Sequence, residues 1–184
     1  MKKGIFLRLL VPCLAVVFLA AFSTGAVAKE IKIGGIMDTT GATSDVGKDY
    51  AIGMEDAYKY INSQGGVDGL KIKYRWFDYG YRIPEAITKY KLVKRMGSVV
   101  IMGWGTGDTE ALSPTVNKDK IPYVSASYSA HLTDPKKSRY NLFFSSDYST
   151  NARSAITAWH DKVWKNSPDN GKRKPRFACC YMFA

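Results

Sequence analysis

Two short segments rich in glycine and hydroxyl side chains each follow an apolar run of the chain. Gly103 to Thr109 follows Val99-Val100-Ile101-Met102, and Ser125 to Ser129 follows the run that begins at Ile121. Glycine exposes backbone N–H groups, and serine and threonine hydroxyls both donate and accept hydrogen bonds. These groups suit a carboxylate or a phosphate without a charged protein side chain. The candidate ligand-binding residues are Trp104, Gly105, Thr106, Gly107, Ser127, Tyr128 and Ser129.

A third segment, Thr39 to Thr43, has the same small and hydroxylated composition and follows the apolar residues of Ile31 to Ile36. Because parallel strands end at the same edge of a sheet, we expect the three segments to gather on one rim. A hydrogen bond to a charged group contributes roughly 1.5–3 kcal/mol. Two or three such bonds therefore suffice to hold a carboxylate or a zwitterion.

The glycines at positions 103, 105 and 107 resemble a nucleotide-binding loop only superficially. They do not form G-x-G-x-x-G, they follow the third predicted strand and not the first, and no Lys-Ser/Thr pair accompanies them. We therefore expect no nucleotide and no other cofactor.

The sequence contains no arrangement that indicates catalysis, so no catalytic residue is predicted. Ser127 and Ser129 have no His or Lys beside them, and His131 leads into a Thr133-Asp134-Pro135 turn, which favours a surface histidine. A metal site is not predicted either, because the histidines are far apart and Cys179-Cys180 are adjacent and expected to be buried thiols.

Two side chains of the glycine-rich segment have alternative interpretations. Asp108 stands near the start of a helical pattern, where an acidic residue interacts favourably with the helix dipole. This role is favoured over contact with a ligand. For Trp104, packing beneath the segment and forming the wall of a pocket are equally compatible with the sequence.

The amino terminus has the features of a cleavable signal peptide over residues 1–28. Lys2, Lys3 and Arg8 precede an apolar run from Leu9 to Ala21, and Ala26-Val27-Ala28 is a small-x-small cleavage site. The run is short for a bilayer, which makes a retained membrane anchor the less favoured alternative. We therefore expect export to the periplasm or another extracytoplasmic space.

The composition is that of a folded, basic protein. Of the 184 residues 46% are hydrophobic and 13% aromatic, enough for one core and inconsistent with disorder. The net charge is +11, or about +8 without the three basic residues of the signal peptide. Nucleic acid is not an expected partner, because basic residues are dispersed. The one dense cluster, Lys172-Arg173-Lys174 with Arg176, follows a turn typical of a solvated loop.

Hydrophobic periodicity predicts strands that alternate with helices, which is typical of βαβ units and a mainly parallel sheet flanked by helices. Charged residues on one face of Leu70 to Phe77 favour an edge strand. The last strand has no helix to cover it, which indicates a chain truncated relative to a larger fold. The predicted strands are Lys29 to Ile36, Leu70 to Phe77, Val99 to Met102, Ile121 to Ala126, Tyr140 to Phe144 and Arg176 to Phe183. The first predicted helix has apolar residues at helical spacing from Tyr50 to Ile61, with Asp45 and Asp49 near its start. The other predicted helices are Pro84 to Met96, Glu110 to Lys118, and Ala152 to Trp164 with a buried stripe of Ala155, Ile156, Trp159 and Val163.

Several motifs, taken in order from about Ile31 to the end, resemble those of a known family. The most specific is Ile61-Asn62-Ser63-Gln64-Gly65-Gly66-Val67-Asp68-Gly69. The chain resembles the type I periplasmic substrate-binding proteins of ABC importers, and among them the branched-chain amino acid (Leu/Ile/Val) binding group. The other matching motifs are Ile31 to Ile36, Thr40-Gly41, Gly53 to Ala57, Gly103 and Ile121 to Ser125.

The resemblance implies two α/β lobes that close on a ligand about a hinge. Residues 29–144 would be the N-terminal ligand-binding lobe, lacking its C-terminal return segment. Residues 145–184 would hold the hinge crossing, near Phe144 to Asp147, and the first helix and strand of an incomplete second lobe. This last segment is expected to be only marginally stable.

The resemblance also implies roles for individual residues. In this family the loops after the third and fourth strands bind the α-carboxylate and α-ammonium of the ligand. Ser127 falls at the position that offers a backbone carbonyl, and Ser129 at the position of a hydroxyl contact. Gly107 stands where the family commonly has a serine, and Val46 where it often has an aromatic residue. These departures, and the aromatic side chains of both segments, favour an aromatic or bulkier ligand.

The predicted function is capture of an amino acid, or of a related aromatic or aliphatic carboxylate, by the extracytoplasmic solute-binding component of an ABC importer. The expected partners are this small molecule and an ABC permease at the membrane, with the binding protein a monomer and not an enzyme. Two alternatives remain. One is the extracellular ligand-sensing domain of a receptor with the same fold, and the other, less favoured, is an exported α/β enzyme.

Overall fold

A five-stranded sheet lies at the centre of the computed structural model, which describes residues 30–178. The strands are β1 Glu30–Met37, β2 Lys71–Asp78, β3 Val100–Met102, β4 Tyr123–Ser125 and β5 Asn141–Phe143. The helices are α1 Ser44–Ser63, α2 Ile83–Arg95, α3 Thr106–Asp119 and α4 Tyr148–Lys162, with short 3₁₀ helices at Ala130–Thr133 and Trp164–Asn166. The predicted signal peptide and Cys179-Cys180 lie outside the described residues. Across residues 30–178, no helix is long and apolar enough to cross a membrane.

The strands follow the order β2-β1-β3-β4-β5, and β3 pairs in parallel with β1 and β4, as β4 does with β5. One buried cluster joins α1 to the sheet around Met37 and Met102, and another joins α2 and α3 to it around Ile36 and Ile101. Because neighbouring strand residues point to opposite faces, these clusters lie on two sides of the sheet. The predicted parallel sheet with helices on both faces is confirmed.

β2 forms one edge of the sheet, as its charged face predicted. Lys71, Lys73 and Arg75 are exposed, whereas Ile72 is buried. On the buried side, the Trp76 indole donates to a carboxylate of α1 over 2.6 Å. Charge on the outer face protects such an edge from pairing with another chain.

The Ile61 to Gly69 motif ends α1 and turns the chain into β2. Gly65 and Gly66 have φ values of 108° and 88°, which other residues rarely adopt. The Asn62 side chain donates to the carbonyl of Ile72 at 2.8 Å and accepts its N–H at 2.7 Å. The most specific motif of the sequence therefore joins the first helix to the edge strand.

α3 begins four residues earlier than predicted, at Thr106 and not at Glu110. Gly105 is extended and precedes the helix, so the bend after β3 comprises only residues 103–105. Thr106 and Gly107 therefore lie in the first turn of a helix. Hydrophobic periodicity missed this turn because its residues are polar or small.

α4 also begins early, at Tyr148 in place of Ala152, because the Asp147 carboxylate caps the helix by accepting the N–H of Thr150 at 2.9 Å. The prediction of a buried stripe on this helix is wrong. The structure buries none of the α4 residues, and Ile156 is 49% exposed. In the described part of the chain, α4 packs mainly on the 3₁₀ helix that follows it.

The carboxyl end of the described chain also differs from the prediction. A strand was expected at Arg176 to Phe183, but residues 176–178 are irregular, and the remaining positions lie outside the described residues. β4 and β5 are each three residues long, shorter than the apolar runs that predicted them. At the start of β4, Pro122 has no N–H to donate to the sheet.

Candidate ligand-binding site

The three predicted segments meet at the carboxyl edge of the sheet and are joined by side-chain hydrogen bonds. We call residues 38–43, 103–107 and 125–129 the rim. Trp104 Nε1 donates to Thr43 Oγ1 over 2.7 Å, and the hydroxyls of Thr106 and Ser127 lie 2.7 Å apart. The strand order reverses between β1 and β3, the place where open α/β sheets bind ligands. The predicted gathering of the segments is confirmed.

Asp38 holds the first segment of the rim in place. Its buried carboxylate accepts the N–H of Gly41 at 2.6 Å, and it accepts both the N–H and the hydroxyl of Thr43, at 2.8 and 2.7 Å. Because Thr43 gives its hydroxyl proton to Asp38, its oxygen is free to accept from Trp104. The relay from indole to hydroxyl to carboxylate thus orients the Trp104 ring.

Trp104 packs into the molecule, which is one of the two roles left open by the sequence. Its ring is half-buried, contacts the core cluster beside α2 and α3, and lies 5.1 Å from the ring of Tyr50. The Tyr50 ring is in turn stacked on Phe144 at 6.2 Å. Trp104 therefore belongs to an aromatic cluster at the rim.

Asp108 is the third residue of α3, as its predicted helix-terminal role requires, and is only 1% exposed. Its carboxylate accepts the hydroxyl protons of Tyr79 at 2.6 Å and of Tyr123 at 3.1 Å. Burial raises the pKa of Asp108 to about 6, and the hydrogen bonds from the two tyrosines partly oppose this. The carboxylate also accepts from the backbone of Gly105. The polar contacts of Asp108 are thus made within the protein.

The three serine hydroxyls at the end of β4 and after it differ in whether they are already hydrogen-bonded within the protein. Ser125 is buried, lies 2.7 Å from the Thr109 hydroxyl and accepts the N–H of Ser127 at 2.9 Å. Ser127 is also buried and engaged with Thr106. The half-buried Ser129 hydroxyl has no hydrogen-bond partner within residues 30–178. Ser129 is therefore the rim serine most open to a ligand.

Tyr128 connects the rim to α4. Its ring makes edge contacts with Phe143, Phe144 and Tyr148 at centroid distances of 6.1, 6.0 and 5.6 Å. Its carbonyl accepts the N–H of Tyr148 at 2.9 Å. Tyr128 thus extends the aromatic cluster toward the proposed hinge.

The two positions that depart from the family pattern are both accessible. Gly107 lies in the first turn of α3, where an added Cβ would meet only the Cδ1 tip of Ile83, at 3.1 Å. Val46, in the first turn of α1, is 59% exposed.

Tyr81, which no sequence pattern singled out, lies beside Gly105. A Cβ built on Gly105 would be 2.7 Å from Tyr81 Cε2 and 2.9 Å from its hydroxyl oxygen. The available signal was its position just after the end of β2, equivalent to that of the other rim segments.

Asp78, the last residue of β2, forms hydrogen bonds with the first segment of the rim. It accepts the N–H of Thr39 at 2.7 Å and the hydroxyl of Thr40 at 2.5 Å. Burial acts to raise the pKa of Asp78, but these hydrogen bonds and one from Gly80 outweigh it and lower the pKa. The carboxylate is therefore a stable acceptor at neutral pH.

His131 is a surface residue, as predicted. Its side chain is 64% exposed and its Nε2 lies 2.9 Å from Glu110 Oε1. Among residues 30–178, no group of three His, Cys, Asp or Glu side chains is arranged to hold a metal ion.

Comparison with known proteins gives a family and a set of structural relatives. A family model described as periplasmic binding protein matches residues 30–166. No curated protein sequence matches the chain. An ABC transporter substrate-binding protein from Aeropyrum pernix is 42% identical, with a TM-score of 0.65, over 73% of this chain and 35% of that chain.

Two further structures share the fold at lower identity. A branched-chain amino acid ABC transporter from Thermus thermophilus, with bound valine, is 24% identical with a TM-score of 0.68, over 73% of this chain and 36% of that chain. A fatty acid ABC transporter substrate-binding protein from Thermomonospora curvata is 24% identical with a TM-score of 0.66, over 75% of this chain and 35% of that chain.

The chain spans about a third of the length of these solved structures. Its parallel sheet flanked by helices is the type I periplasmic binding protein fold. Since the family model covers well over half of the chain, this protein belongs to the periplasmic binding protein family.

Proposed function

We propose that the chain provides a ligand-binding lobe of an extracytoplasmic solute-binding protein that serves an ABC importer. The lobe ends near residue 144, residues 144–147 cross the hinge, and α4 begins a second lobe. The ligand is an amino acid or a related small carboxylate, and the membrane partner is an ABC permease. Family membership and the 42% identity to an ABC transporter substrate-binding protein support this proposal.

The observation that carries the proposal is the amino end of α3 at the rim. The first N–H groups of a helix lack acceptors within the helix, and together with the helix dipole they favour an anion. Asp108 accepts from Gly105, whereas the N–H groups of Thr106 and Gly107 have no acceptor within the described residues. The proposed ligand carboxylate accepts hydrogen bonds from these two groups.

The segment after β4 supports binding of the positively charged ammonium group of a zwitterionic ligand. The Ser127 carbonyl and the Ser129 hydroxyl are acceptors suited to an ammonium group. Trp104, Gly105 and Tyr128 form the surrounding surface. Two neutral acceptors for the ammonium group, next to a helix terminus for the carboxylate, suit an amino acid head group. No charged side chain of this lobe is needed to bind it.

The ligands of related structures support a carboxylate. The Thermus thermophilus structure contains valine, and the Thermomonospora curvata protein is described as a fatty acid transporter component. Valine and fatty acids differ in size and polarity but share a carboxylate. That shared group is the one that the amino end of α3 suits.

Isothermal titration of the full-length protein with amino acids and with aromatic and aliphatic carboxylates tests the proposal. At least one carboxylate is expected to bind, and Ser129→Ala is expected to weaken it by roughly 1–3 kcal/mol through loss of a hydrogen bond to a charged group. Ser154→Ala, exposed on α4, is the matched control and should not change the affinity. Failure of the whole panel to bind contradicts the proposed function, and an unchanged Kd in Ser129→Ala removes Ser129 from the site.

A further inference from the structure

Tyr81 occupies an uncommon backbone conformation at the rim. Its φ is 57°, and the preceding Gly80 has φ of 58°, so that two successive residues are left-handed. For a bulky residue this conformation costs roughly 1–2 kcal/mol, which glycine avoids. Such strain persists where the surrounding structure holds it, and it is concentrated at functional sites.

The conformation brings the Tyr81 ring against the amino end of α3. The ring edge lies over Gly105, where an added Cβ would be within 3 Å of two of its atoms. Its other side contacts the buried Tyr79 ring at a centroid distance of 6.0 Å. Nevertheless Tyr81 remains 38% exposed. Packing on Gly105 therefore uses only part of the ring.

The Tyr81 ring lies against Gly105, the residue that precedes the proposed carboxylate donors. Gly105 directly precedes Thr106 and Gly107, whose N–H groups are the proposed carboxylate donors. A ligand carboxylate held by these two N–H groups would therefore lie close to the Tyr81 ring. Aromatic rings pack on one another at centroid distances of about 4.5–7 Å. Such a pair stabilises a complex by about 0.5–1.5 kcal/mol more than the burial of its apolar surface alone.

We propose that Tyr81 is a specificity-determining residue, whose exposed ring selects a carboxylate ligand with a planar aromatic side group over an aliphatic one of similar size. This inference rests on the proposed function, because it assumes that the ligand carboxylate lies at the amino end of α3. Tyr81 acts on the side group of the ligand and not on its head group. Loss of the Tyr81 ring should therefore weaken binding of aromatic ligands and leave the affinity for aliphatic ligands nearly unchanged.

The test uses matched pairs of ligands with the full-length protein. L-phenylalanine is compared with L-leucine, and phenylacetate with 4-methylpentanoate, by isothermal titration. The wild type is expected to favour the aromatic member, and Tyr81→Leu is expected to reduce this preference roughly two- to tenfold. Tyr81→Phe keeps the ring and should keep the preference. Tyr60→Leu, 67% exposed on α1, is the matched control and should behave as the wild type.

Tyr81→Gly guards against misfolding, because glycine adopts the left-handed conformation without strain. It too should lose the aromatic preference, and a cooperative thermal unfolding transition checks that this variant folds. The inference is overturned if the wild type favours the aliphatic member, or if Tyr81→Leu and Tyr81→Gly weaken both members equally or neither. If the wild type binds none of the four compounds, the proposed function fails, and the Tyr81 role fails with it.

Discussion

Buried polar side chains shape the rim from beneath. Asp38 accepts from Thr43, and Asp108 accepts from Tyr79 and Tyr123, so each carboxylate is satisfied by the protein itself. Fully satisfied polar networks are rigid, because any displacement leaves a buried group without its partner. The rim is therefore organised before a ligand arrives.

The raised pKa of Asp108 makes stability depend on pH. Burial raises this pKa from an ordinary value of 3.8 to about 6, so between about pH 4 and 6 the folded state binds more protons than the unfolded state. The free energy of unfolding therefore falls as pH rises through this range, by about 3 kcal/mol at most. Urea unfolding from pH 4 to 7 should show this decrease in the wild type and not in Asp108→Asn.

Asp78→Asn is the matched control for this prediction. Burial acts to raise the pKa of Asp78, but hydrogen bonds led by that from Thr40 lower it below its ordinary value of 3.8. Asp78 therefore stabilises the fold at higher pH and loses this contribution only as pH falls further. The decrease between pH 4 and 6 should persist in Asp78→Asn. A decrease that also persists in Asp108→Asn would assign it to another group.

The start of α1 packs so closely on the end of β1 that only glycine fits at position 47. A Cβ on Gly47 would lie 1.7 Å from the carbonyl oxygen of Asp38, a backbone atom. Gly53, in the same helix, is exposed and has no atom within 4 Å of an added Cβ. The same residue thus has opposite surroundings at two places in one element.

Alanine at these two glycines should have opposite effects. Gly47→Ala is expected to lower the free energy of unfolding by about 1–3 kcal/mol or more, because the added methyl group displaces β1 or α1. Gly53→Ala is expected to raise it by roughly 0.5–1 kcal/mol, because alanine favours the helix. Urea unfolding of both variants measures the difference. A Gly47→Ala protein as stable as the wild type would contradict the close contact.

α4 packs less closely than the other helices of the described chain. Its first N–H is bound by the Tyr128 carbonyl at the rim, but none of its residues is buried. Ile156 is instead 49% exposed, and Val163, which directly follows the helix, is 55% exposed. An exposed apolar face on this helix is consistent with the proposed second lobe.

Hydrogen exchange of the 184-residue chain should distinguish α4 from α3. The two helices have similar lengths, 15 and 14 residues, but α3 buries five residues and α4 none. Local opening of a helix with few buried contacts requires little free energy. The amides of α4 are therefore expected to exchange faster than those of α3, as measured by mass spectrometry. Equal protection of the two helices, or equal protease resistance after Asp147, would contradict this expectation.

Local sequence patterns predicted the type and order of the helices and strands well, but they predicted the first residues of two helices poorly. The alternation of strands and helices, the edge position of β2 and the glycine turn after α1 all follow from residues close in sequence. The starts of α3 at Thr106 and α4 at Tyr148 were missed, because their first turns carry no apolar periodicity. The predicted stripe of α4 failed for another reason, since periodicity indicates an apolar face but not what covers it.

The sequence by itself determined the order of the elements and the composition of the rim, because hydrophobic periodicity and turn chemistry are local properties. Only the tertiary structure decided which rim groups remain open to a ligand. It engages Ser127 with Thr106, leaves the Ser129 hydroxyl without a partner among the described residues, and places Tyr81 over Gly105. It also buries a carboxylate between two tyrosines that are 29 and 15 residues away in the chain. These arrangements depend on contacts between distant residues, which the folding of the sheet brings together.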